Sequence, residues 1–86
     1  MVGTDISLNE FRLKRARGAI LEYIRGLKNR ADLKWVLGVL RGSFGVSMNE
    51  ALALMQSIKN DKSLMLTPDR LDRLELLRRK IEVEEW

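Results

Sequence analysis

Apolar residues recur at helical spacing in four successive stretches of this chain, and that periodicity constrains the fold more than any other feature. Leu13, Ala16, Ile20, Tyr23, Ile24 and Leu27 fall within one arc of a helix wheel. A second stretch turns Leu33, Val36, Leu37 and Leu40 one way. A third carries Met48, Ala51, Leu52, Met55 and Ile58, with Leu54 on its flank. The fourth has Leu71, Leu74, Leu77 and Ile81. A strand would need alternation instead, as Ile81-Glu82-Val83-Glu84 shows at the end of the chain.

Local signals set the boundaries. Ser7-Leu8-Asn9-Glu10 and Ser47-Met48-Asn49-Glu50 both have the capping-box pattern, in which a hydroxyl accepts from an amide three residues on and the glutamate reaches back. They predict helices from Ser7 to about Lys28 and over about 48–60. Asp32 is placed to cap a helix over about 33–41, closed by Gly42-Ser43-Phe44-Gly45. Phe44 and Val46 are expected to plug that corner into the core. Thr67-Pro68-Asp69 supplies N-cap, first position and acidic second position of a C-terminal helix over 68–86. Between them Ser63-Leu64-Met65-Leu66-Thr67 is short and apolar, as a buried strand would be. The expectation is a single mostly α domain over 1–86, with three core helices, a short β-element after the third and a C-terminal helix across them. Leu8 and Phe11 lie off the first stripe, so either residues 1–11 form a separate N-terminal arm or these two residues pack on something other than the main core, such as a partner chain.

The 86 residues include no cysteine and no histidine. Disulfides, thiolate chemistry, Cys-based zinc sites and histidine acid–base catalysis are thereby excluded. There is no phosphate-binding glycine loop, and Gly42-Ser43-Phe44-Gly45 lacks the lysine one would need. Acid pairs such as Asp69/Asp72 and Glu82/Glu85 read as solvated helix charges. No enzyme activity, metal or cofactor is expected. The start of the sequence has no basic segment followed by an apolar run, and no stretch reaches the roughly 20 apolar residues of a membrane helix. The expected setting is cytoplasmic.

Charge is uneven. Residues 1–43 carry nine basic residues and four acidic ones, a net +5, whereas residues 44–86 carry seven and eight, a net −1. One electropositive face is expected, and with it an anionic partner. Asn49, Ala53, Gln56 and Asn60 stack on the side of the third helix opposite its apolar stripe. Their chemistry suits base reading, because amides bond bidentately to adenine and a methyl group meets the thymine methyl. Arg12, Lys14, Arg15 and Arg17, with Lys59 and Lys62, are the candidates for phosphate contact.

The order of elements resembles the winged-helix DNA-binding superfamily over about residues 16–67. It consists of a helix carrying Ala19-Ile20-Leu21-Glu22-Tyr23-Ile24, a second ending at Gly42, a Phe44-Gly45-Val46-Ser47 turn, a third helix, then Leu64-Met65-Leu66-Thr67. The resemblance implies that the third helix enters the major groove and gives reader roles to Asn49, Ala53 and Gln56. A second wing strand and a Gly-rich wing tip are missing, and Thr67-Pro68-Asp69 starts a helix where a wing belongs. Sequence-specific binding of double-stranded DNA by a small transcriptional or replication regulator is the leading expectation, in a homodimer, since one copy offers one half-site. The alternative is a protein-interaction module of the adaptor or phage and plasmid accessory kind, whose basic face meets an acidic protein. Leu8, Phe11, Trp35, Val39, Leu76 and Val83 are the candidate dimer or partner interface.

Overall fold

A computed structural model describes residues 3–26 and 32–83, with side chains from residue 9 onward. Among the described residues there are four α-helices and no strand: α1 (Gly3–Ile24), α2 (Leu33–Gly38), α3 (Met48–Asn60) and α4 (Pro68–Val83). A π-helical turn, Val39–Ser43, extends α2, and a 3₁₀ turn, Lys62–Leu64, follows α3.

Three of the four expected starts are built as the sequence implies. Asp32 accepts from the Lys34 amide at 3.0 Å. At Ser47 both halves of the capping box form: its hydroxyl accepts from Glu50 N at 3.1 Å, and the Glu50 carboxylate accepts from Ser47 N at 3.0 Å. Thr67 Oγ1 accepts from Arg70 N, and Pro68 takes the first position, where no amide is needed. The fourth start is different. Helix α1 begins at Gly3, so Ser7 lies within it, and the helix runs unbroken through residue 11. Nothing between Thr4 and Glu10 breaks a helix, so the box pattern has no interruption to mark.

The apolar stripes meet in one core. Ala16, Ile20, Tyr23 and Ile24 of α1 pack with Val36, Leu37 and Leu40, with Val46, with Ala51, Met55 and Ile58 of α3, and with Leu74, Leu77 and Ile81 of α4. Leu27 lies outside the described residues. Leu21, off the predicted arc, is also buried, whereas Leu71 is partly exposed at the start of α4. Val46 is buried at the corner and Phe44 only half-buried against it. The Phe44 amide closes the π turn onto Val39 O at 3.0 Å, and Gly45 then takes a φ of +55°, a conformation that suits glycine.

The short β-element is not seen. Lys62–Leu64 form a turn of 3₁₀ helix, capped by the Asp61 carboxylate on the Ser63 amide. Met65 follows at φ 48°, ψ 53°, in the left-handed region, which ends any extended run there. Helix α4 continues through residues 81–83, where alternation hinted at a strand; residues 84–86 lie outside the description.

Candidate functional site

The row expected to read bases is present: Asn49, Ala53, Gln56 and Asn60 are all exposed along one side of α3. Gln56 Nε2 donates to Asn60 Oδ1 at 3.3 Å, the i,i+4 contact that a helix allows. Beside this row runs a groove of about 460 Å³ between α3 and α4. Leu52, Met55, Leu71 and Leu74 line it, and Asp72, Glu75 and Glu82 outnumber Lys59 and Arg78 around it. Arg78 binds both Glu75 and Glu82, and its guanidinium holds the Glu75 carboxyl below its ordinary range.

The basic candidates divide into two groups. Arg12 Nη1 donates to Phe44 O at 2.9 Å and Gly45 O at 3.2 Å, and Nη2 to Asn9 Oδ1 at 2.7 Å and Glu50 Oε2 at 2.9 Å. It therefore ties α1 to the corner before α3 and to the α3 cap. The Ser47 amide, with Arg12 second, holds the Glu50 carboxyl below its usual value. Arg17 pairs with Asp61 at 2.9 Å, beyond the other end of α3. Asp61 is also lowered, first by the Ser63 hydroxyl and amide and then by Arg17. These two arginines face protein carboxylates. Lys14, Arg15, Lys59 and Lys62 are exposed.

Arg15 stands with aromatic rings rather than beside the α3 row. Its guanidinium lies 5.6 Å from the Phe11 ring centre and 5.8 Å from that of Phe44. Phe11 is 57% exposed. Next to it a groove of about 560 Å³ runs between α1 and α2, lined by Arg15, Gly18, Ala19, Leu21, Glu22 and Arg25 on one side and Trp35, Val39 and Phe44 on the other. Three of the expected interface residues, Phe11, Trp35 and Val39, thus belong to one surface. Leu76 and Val83 are exposed on α4, on the side away from Leu74, Leu77 and Ile81, and do not line this groove. The Leu8 side chain lies outside the description.

Phe44 and Gly18 belong to this surface and were not expected there. The signal for Gly18 was a glycine in a helix interior, where it costs about 0.5–1 kcal/mol relative to alanine. A Cβ built on it meets nothing within 4 Å. Arg73 is a further unexpected anchor: it stacks 4.4 Å from the Tyr23 ring centre and donates to Tyr23 O at 2.7 Å and 3.0 Å. Burial pushes the Tyr23 phenol up.

Among the described residues no group of three or more acidic side chains is placed to hold a metal ion, and no helix is long and apolar enough to cross a membrane. No family model, no curated protein and no solved structure matches this chain.

Proposed function

We propose that the chain is a non-enzymatic protein-interaction module that binds through its α1–α2 face. One observation carries this reading: Phe11, Phe44, Trp35 and Val39 gather around Arg15 and a groove that also holds Arg25. Aromatic side chains and arginine are the residues enriched where protein interfaces gain most of their energy. The same gathering separates the two halves of a duplex-binding site. Arg12 and Arg17, which flank α3, bind Glu50 and Asp61, and acidic side chains border the groove into which Gln56 opens.

A second reading, sequence-specific duplex binding with a winged-helix-like arrangement, keeps one specific support: the exposed, uncharged row Asn49, Ala53, Gln56, Asn60 on α3. In that reading Lys59, Lys62 and Lys14 hold phosphates, and α4 follows α3 without a wing strand.

One experiment separates the two. A photoreactive benzophenone residue is placed at position 11 or at position 53 in cells that express the chain. The interaction reading expects protein adducts, a second copy included, from position 11, lost on Val39→Glu, and none from position 53. Nucleic-acid adducts from position 53 would move the duplex reading to the front.

A further inference from the structure

We infer that the α1–α2 groove is occupied by α1 of a second copy, the two helices running antiparallel and crossing at Gly18 and Ala19. This deepens the interaction reading and rests on it. Phe11, Lys14, Arg15, Gly18 and Glu22 share the side of α1 turned from the core, with Arg25 just beyond its end. That side is not uniformly basic. Glu22 lies among the arginines in the groove, so a purely acidic partner meets a like charge there, while an identical helix does not. An antiparallel crossing at Gly18 and Ala19 sets Arg15 opposite Glu22 of the second copy, and two-fold symmetry repeats the pair. Glu22 also interacts within its own chain, and a carboxylate with two oxygens accepts more than one donor.

The same register fits the shapes. Gly18 faces the Ala19 of the second copy, the place where two helix backbones approach most closely, and a Cβ on Gly18 would reach into space that its own chain leaves open. Phe11 then comes to the Arg25 end of the other helix, where a guanidinium can cover its exposed ring. Trp35, Val39 and Phe44 form the wall against which the second helix rests.

Sedimentation of the full chain from micromolar to near-millimolar concentration tests this. The wild type is expected to form a dimer. Arg15→Glu and Glu22→Arg should each weaken it by about tenfold or more, because each change turns two attractions into two repulsions. Mixing the two variants should restore a dimer, since every cross-pair is again Arg opposite Glu. Gly18→Leu, which leaves the charges alone and fills space open in the single chain, should abolish it while circular dichroism stays helical. A wild type that remains monomeric overturns the pairing but leaves the interaction reading to the position 11 adducts. A dimer that survives Gly18→Leu and both charge variants lies elsewhere, and so overturns it too. So does a mixture of folded variants that stays monomeric when the wild type dimerises.

Discussion

A guanidinium carries five donors in one plane, and at Arg12 that fork spans two carbonyls of the Phe44-Gly45 corner and the carboxylate of the α3 cap. Arg12→Ala removes the arginine donor from the part-buried Phe44 carbonyl and leaves the Glu50 carboxylate with the Ser47 amide, so it should cost about 1–2 kcal/mol in urea unfolding. Arg12→Lys should recover less than half of that, because a single ammonium cannot reach both groups at once. An Arg12→Ala chain as stable as the wild type would remove the clamp. In sequence Arg12 looks like its neighbour Lys14. What separates them is a set of partners 32 to 38 residues away, which only the packing of α1 on the corner supplies. Arg17, whose partner Asp61 is 44 residues distant, was illegible for the same reason.

The elements were legible wherever their signals are local. Asp32, Ser47 with Glu50, and Thr67 with Pro68 act within one turn, and each stands where a helix begins. Ser7 failed because a cap needs an interruption before it, and the chain has none until Gly3. The Ser63–Thr67 strand is not seen: apolar content does not fix backbone angles, and Met65 adopts φ 48° after the 3₁₀ turn. Two backbone predictions follow from these angles. Gly18→Ala should stabilise the single chain by about 0.5–1 kcal/mol, since α1 is helical there and the added methyl meets nothing. Gly45→Ala should destabilise it by about 1–2 kcal/mol, because φ +55° strains a residue with a Cβ. Thermal or denaturant unfolding checks both, and equal signs would contradict the backbone described. The α3 cap makes a pH prediction. The Glu50 carboxyl binds its proton less readily folded than unfolded, held down first by the Ser47 amide and then by Arg12. Its contribution is therefore complete above the ordinary carboxylate range and lost as pH falls through the lowered folded value. Glu50→Gln should be less stable at neutral pH and lose less on acidification. The acid limb should persist in part, because Asp61 and Glu75 are lowered as well.

Across the whole molecule, the net charge of +4 is a poor guide to how the protein meets a polyanion, because ion pairs remove some cations from the count that matters. Each phosphate neutralised on a duplex releases counterions and adds about 0.9 to the slope of log affinity against log salt. Arg12 and Arg17 already neutralise Glu50 and Asp61, so bringing a phosphate to either would mean breaking an internal pair. Lys14 on α1 and Lys62 in the 3₁₀ turn are exposed, and among the described residues no ion pair is formed by either. On a random duplex, Lys14→Ala and Lys62→Ala should therefore each lower the salt slope by up to about one unit while leaving unfolding nearly unchanged. Arg17→Ala should do the reverse: its slope should stay that of the wild type, and its stability should fall slightly for the lost pair. Fluorescence anisotropy of a labelled duplex over a salt series, run well below each variant's melting temperature, reads the slopes directly. Should Arg17→Ala lose as much slope as Lys14→Ala, the Asp61 pair yields to phosphate. The flank of α3 would then be a cationic surface after all, and the duplex reading would regain the contacts that the folded chain spends on itself.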